Sequence, residues 1–293
     1  MAPGALITGP SQIEWAETLL LGDGTDLFVS NLTGWEDLPG LDSGNVARSQ
    51  QHGSWAGRQL AQERIVTVEF DILPGTYDTF QARDLVMSAT AIDPSGTERP
   101  IVVRSDSDGA PLLAYGQVVR RSIPMGRDFR RRAPGCAIQW VCSDPRRYSV
   151  NEMELTVPAA TSGSGYVFPL NYPIDYGTPT VPGVAYVVND GNAPSPPLIT
   201  LTGPVVNPRL VNQTTGVEIE FNITLGSGDH LMIDVGAGTV TLGGATRIAT
   251  MTNTSSPPAA FELPPGPSSI AFRGASYPDP GAYMTVVWRS ATW

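Results

Sequence analysis

Glycine and proline punctuate this chain at short intervals and in no single tract, a spacing that suits many short strands joined by turns. There are 31 glycines and 27 prolines in 293 residues, and strand-like alternation persists between them. The clearest run is R-I-V-T-V-E-F-D-I-L from Arg64 to Leu73. It places Val66, Val68, Phe70 and Ile72 on one face and Thr67, Glu69 and Asp71 on the other, the period of a half-buried strand. Pro74-Gly75 ends it, and Thr76 stands where an N-cap is needed for one helix running to about Ala89. Further strands are predicted at residues 100–104, 112–120 and 136–143. An arginine-rich hairpin or loop, R-S-I-P-M-G-R-D-F-R-R-R-A-P-G, separates the last two.

The stretch A-A-T-S-G-S-G, residues 159–165, predicts a linker between two domains. Beyond it, G-N-A-P-S-P-P-L-I-T-L-T-G-P enters from Gly191 with proline stiffening, and its strand must stop at Gly203-Pro204. Strands then recur about every 8–12 residues, with turns at Gly226, Gly236, Gly243-Gly244 and residues 264–266, which indicates an antiparallel sandwich or jelly roll. The last strand, residues 284–288, is expected to pack inside a sheet.

Hydrophobic residues make up 41% and charged residues 16% of the chain, enough for one large or two medium domains with cores of their own. All 18 basic residues are arginine. That either favours planar, bidentate contacts or reflects a GC-rich genome, which also inflates Ala, Gly and Pro. A net charge of −10 argues against a generic nucleic-acid binder. Residues 1–98 hold 14 acids against 4 arginines, and residues 99–150 hold 10 arginines against 4 acids. Such opposite fields suit either head-to-tail contacts between subunits or neutralisation within one subunit. The start M-A-P-G-A-L-I-T-G-P is not a signal peptide, and no run of 18 apolar residues suggests a membrane span. Cys136 and Cys142 would lie roughly 20 Å apart along a strand, too far for a disulfide. They are expected beside Ile138 and Trp140 as core thiols of a protein folded in a reducing cytoplasm.

Catalytic signals are weak. His52 and His230 are the two histidines, and no G-x-S-x-G elbow accompanies them. Two histidines and two core cysteines do not make a zinc site, so no metal and no cofactor is expected. Glu152/Glu154 and Glu218/Glu220 pair along strands about 7 Å apart, a spacing open to glycoside hydrolysis but better read as solvated faces with Met153 and Ile219 inward. D-S-D-G at 106–109 begins like a calcium loop and reads better as a hairpin turn. Tyr166, Phe168, Tyr172 and Tyr176 would cover a domain junction or stack on sugars. Trp15, Trp35 and Trp55 sit in loop-like sequence, either as interface anchors or as satellite cores.

Taken in order, G-N-A-P-S-P-P-L-I-T-L-T-G-P, N-P-R-L-V-N-Q-T-T-G, L-M-I-D-V-G-A-G-T-V-T-L-G-G and L-P-P-G-P-S-S-I-A-F resemble the C-terminal, galectin-like domain of the siphophage distal tail (Dit) family. W-V-C-S-D-P-R-R-Y, residues 140–148, is the best match in the first half. The resemblance implies a mostly β protein in two parts. Residues 1–157 would be a β-rich, ring-forming domain with one helix and a belt-like arm, placed at 44–60. Residues 158–293 would be the galectin-like antiparallel β-sandwich. It further implies a homohexameric ring at the tip of a long non-contractile tail, a virion component made in the host cytoplasm. That ring would join the tail tube protein to the tail-tip, tail-associated or fibre protein and pass DNA as cargo, with no membrane and no catalysis. A lumen lined by acids, and not by the 127–132 arginines, would let DNA pass without holding it. Candidate interface residues are Trp35, Trp55, Arg58, Arg127, Arg130, Arg131 and Arg132. The alternatives are a carbohydrate-binding module for host-wall glycan on a non-enzymatic scaffold and a hydrolase, against which the scarcity of histidine counts.

Overall fold

The computed structural model describes residues 2–105, 109–160, 181–275 and 281–293. Its contacts divide into two compact units, residues 1–150 with Trp293 and residues 151–292. The division precedes the 157/158 boundary read from the linker, because residues 153–158 form a strand of the second unit. The Gly/Ser stretch from Thr161 onward, the aromatic residues Tyr166, Phe168, Tyr172 and Tyr176, and Asp106 to Asp108 of the D-S-D-G run lie outside the described residues.

The first unit contains strands β1 (Gln12–Trp15), β2 (Leu19–Gly22), β3 (Leu27–Thr33), β4 (Leu41–Ser43), β5 (Val46–Ala47), β6 (Ser54–Trp55), β7 (Gln59–Ala61) and β8 (Arg64–Ile72). Helix α1 (Thr79–Ala89) and strands β9 (Arg99–Arg104), β10 (Leu112–Ser122), β11 (Ala133–Cys142) and β12 (Arg147–Ser149) follow. The main path is β2-β1-β9-β10-β11-β8-β3, all antiparallel, with β12 on β10. β10 is the corner: residues 112–116 pair with β9, whereas 117–122 pair with β11. A strand that changes sheets must bend, and Gly116 stands at the change. A Cβ there would meet the Val141 carbonyl oxygen at 2.8 Å and Cys142 Sγ at 2.9 Å.

The alternation of β8 is realised as expected: Val66, Val68, Phe70 and Ile72 are fully buried. They face Ile13, Leu21, Ile101, Ile138 and Trp140 in one core, where each such side chain contributes about 1.5–3 kcal/mol. Cys136 and Cys142 belong to the same core as free thiols. The helix begins later than Thr76. Its cap is Asp78, whose carboxylate accepts the Gln81 amide at 2.8 Å while Gln81 Oε1 accepts the Asp78 amide at 3.1 Å. Thr76 cannot serve because Asp26, remote in sequence, holds the turn ahead of the cap through the amides of Thr76 and Tyr77.

The second unit contains β13 (Met153–Pro158), β14 (Val184–Asn189), β15 (Leu198–Thr202), β16 (Val205–Val206), β17 (Arg209–Asn212), β18 (Glu218–Glu220) and β19 (Thr224–Leu225). It continues with β20 (His230–Asp234), β21 (Thr239–Leu242), β22 (Ala245–Thr246), β23 (Gly266–Arg273) and β24 (Tyr283–Trp288). Two antiparallel sheets, β13-β24-β15-β20-β21-β22 and β14-β23-β17-β18, form the sandwich. β16 pairs with β19 separately. Ile199, Leu201, Ile233 and Met284 of one sheet share a core with Val187, Leu210, Ile219 and Phe272 of the other. Strand β24, which contains residues 284–288, lies between β13 and β15, as expected. Gly191 opens the proline-stiffened entry, and a Cβ there would lie 1.7 Å from the Ala291 carbonyl oxygen. That backbone approach accompanies the bridge between Ala193 and Ala291.

Candidate interaction surface

Between Gly40 and Leu60 every residue except Gly57 is exposed. This excursion is made of two narrow ribbons, β4 with β7 and β5 with β6. Two-stranded ribbons are marginal alone in water, so a segment built this way gains most by meeting another surface. Val46 pairs with Trp55, and Arg48 stacks over the Trp55 ring at 4.5 Å, leaving the indole 64% exposed. Arg58 is also exposed on this arm. The 44–60 segment read from sequence falls inside it.

Arg64 roots the arm. It is 1% exposed, and its Nη1 donates to the carbonyl oxygens of Gly34 at 2.7 Å, Trp35 at 2.9 Å and Asp37 at 2.7 Å. Its Nε donates to the Pro145 carbonyl at 2.7 Å. Burial, and then the neighbouring Arg147 charge, pull this guanidinium down from its ordinary value. Arg147 lies over the Trp35 ring and donates to Glu36 at 2.6 Å. Burial works to raise the Glu36 carboxyl, but the hydrogen bond and charge of Arg147 hold it below the usual range. Trp35 is therefore a core residue at 1% exposure, not a surface anchor. The two arginines and the turn they hold fold it under the root, and it has no face to offer a partner. Trp15 is likewise in the core, against Trp140. Sequence reasoning missed Arg64; its one signal was a charged residue at the mouth of a strand whose inward face is otherwise apolar.

The turn between β10 and β11 carries the other candidates. Arg127, Arg130, Arg131 and Arg132 are exposed around the buried Phe129. Phe129 meets Phe80 of α1 edge-on at 5.4 Å, and the Asp128 carbonyl accepts the amides of Arg131 and Arg132 at 2.8 and 3.1 Å. Thr79 Oγ1 donates to the Arg130 carbonyl at 3.3 Å. The arginines are thus presented on a turn that is already ordered. Among the described residues no hydrogen bond, ion pair or ring contact joins them to Trp35, Trp55 or Arg58.

The chemical candidates have ordinary surroundings. His230 Nδ1 lies 2.9 Å from Thr202 Oγ1 on an exposed strand end. Glu218 pairs with Arg209, whose hydrogen bond lowers the carboxyl. Glu152 faces Arg289 at 3.7 Å. Ile219 and Met153 point to the core side, as expected. A cleft of about 290 Å³ is lined by Leu20, Leu27, Asp26, Tyr77 and Leu85, but the Asp26 carboxylate is already engaged by backbone amides. Among the described residues no group of three His, Cys, Asp or Glu could hold a metal, and no helix is long and apolar enough to cross a membrane.

Comparison with known proteins accords with this architecture. The family described as siphovirus-type tail component, C-terminal domain (SPP1 Dit), matches residues 190–290. The fold is similar to that of the Dit protein of SPP1, described as a paradigm of hub adsorption apparatus in phages infecting Gram-positive hosts. The TM-score is 0.63 at 13% identity, over 96% of this chain and 98% of that one. A chain of the phage P2 baseplate in its activated conformation with Ca is similar at TM-score 0.50 and 8% identity, over 94% and 97% of the two chains. No curated protein matches in sequence.

Proposed function

We propose, on the premise that residues 190–290 belong to the C-terminal domain family of siphovirus-type tail components, that this protein is a structural hub of a bacteriophage tail. Six copies close a ring through residues 1–157 at the distal end of a long non-contractile tail. The ring joins the tail tube protein to the tail-tip or baseplate proteins and leaves a channel for DNA, and residues 158–293 form the outer, galectin-like domain. The role is structural and not catalytic, and the protein resides in the virion. The observation that carries this reading is the coincidence of the family match in the second unit with a Dit-like fold across 96% of the chain. The exposed arm supports it, since such a segment fits a neighbouring copy better than solvent. So does the acidic balance, which leaves a conduit that does not retain phosphate.

The test is mass measurement of the purified chain with negative-stain imaging, alone and beside its tube protein. Six-fold particles are expected. A chain that stays monomeric in both conditions, while residues 158–293 bind host-wall glycan saturably, would replace this reading with an adhesion module.

A further inference from the structure

We infer that the arginine-rich turn between β10 and β11 is the docking surface for the acidic root of the arm on a second copy of this chain. The inference rests on the ring reading and adds which two surfaces meet in it. A ring built from one chain is heterologous, so each copy must offer two different, complementary patches. The first unit has two. Arg120, Arg127, Arg130, Arg131 and Arg132 are exposed, with Val119 and Met125 exposed beside them. None of these five arginines has an ion-pair partner among the described residues. Asp128 is the one acid in the turn.

At the arm root, Asp42 and Glu63 are exposed and equally without an ion pair among the described residues. Leu38, Leu41 and Leu60 are exposed around them. Leu60 stands opposite Asp42 across the β4–β7 ribbon. Both patches therefore mix exposed aliphatic side chains with unpaired charge, and the signs are opposite. Because one chain carries both and pairs neither among its described residues, the complement of each is met by another copy. Arginine suits this task, as its fork holds a carboxylate through two parallel hydrogen bonds. Phe129 anchors the turn and Arg64 anchors the root, so docking orders little that is loose beforehand.

The test uses the full chain carrying Arg130→Glu with Arg131→Glu, and separately Arg130→Gln with Arg131→Gln, read by sedimentation across salt concentrations. The charge reversal is expected to raise the concentration for half-assembly at least about tenfold, the neutral pair less, and added salt should weaken the natural chain in the same direction. Adding Asp42→Arg and Glu63→Arg to the reversed chain is expected to restore assembly. A ring indifferent to reversal overturns this docking and leaves the ring reading standing. A loss that the second pair of substitutions does not restore also overturns it. A natural chain that never assembles, even beside tube protein, overturns the ring and this docking together.

Discussion

Replacing Arg64 with methionine keeps most of its volume and removes every donor, so it isolates what the buried guanidinium does. Four carbonyl oxygens lose their partner: Gly34, Trp35 and Asp37 at the arm root and Pro145 beyond β11. An orphaned buried acceptor costs about 1–3 kcal/mol. Three of these four contacts are only part-buried, and water can re-solvate some of those oxygens. The substitution also relieves the burial of a charge whose Nη2 lacks a hydrogen-bond partner among the described residues, which offsets part of the loss. The net expectation is about 3–4 kcal/mol, in the range for breaking a buried charged contact. That lowers the melting temperature of a unit this size by about 10 °C. Arg64→Lys keeps the charge but not the fork, and should fall between the two. Urea unfolding followed by tryptophan fluorescence measures the loss. Amide exchange read separately at residues 34–37 and 198–202 assigns it to the first unit. If Arg64→Met unfolds within about 1 kcal/mol of the natural chain, the carbonyls did not depend on Arg64, and the account of the root fails.

Four other outcomes are expected. Glu36, Asp93 and Glu218 all titrate below their ordinary values: Glu36 because Arg147 outweighs its burial, Asp93 chiefly through the Arg99 hydrogen bond, Glu218 chiefly through that of Arg209. Their stabilisation is complete above about pH 4–5 and is lost as pH falls through the lowered values, so a urea midpoint that rose on acidification would contradict these pairings. Burial, reinforced by the Asp71 charge, pushes the Cys136 thiol to about 11, and burial with the Glu98 charge pushes Cys142 to about 12. Neither should react with a thiol reagent near pH 8 until urea unfolds the first unit, and prompt native labelling would place them outside the core. Gly191→Ala should destabilise the second unit by roughly 2–4 kcal/mol, since the Cβ meets the Ala291 backbone; unchanged exchange at residues 198–202 would refute that. Trp55→Ala should leave monomer stability within about 0.5 kcal/mol while weakening assembly, and a melting temperature several degrees lower would show that the indole packs within its own chain.

Where a property depends on neighbours one or two residues away, it was legible beforehand. The pleat alone sends alternate side chains to opposite faces, so Val66, Val68, Phe70 and Ile72 could be assigned to a core without knowing what they would pack against. The same holds for Cys136, Ile138, Trp140 and Cys142. The helix cap shows where local reasoning stops. Thr76 and Asp78 are both acceptable caps by residue type, and the choice fell to Asp78 because Asp26 holds the turn that contains Thr76.

Trp35 shows the same limit at the candidate surface. A tryptophan in a polar, glycine-rich stretch reads as an anchor for a partner, and Trp55 does stand exposed on the arm. Trp35 instead lies beneath a turn whose carbonyls are gathered by Arg64 and whose ring is covered by Arg147. The chain by itself settled the β-built architecture and the local surplus of arginine over acid in residues 99–150, because these follow from short-range periodicity and composition. Which tryptophan is core, which arginine is buried and which arginines face outward was decided by tertiary structure. Burial of an indole or a guanidinium is a balance of desolvation against partners supplied from distant segments, and no local pattern records who those partners are.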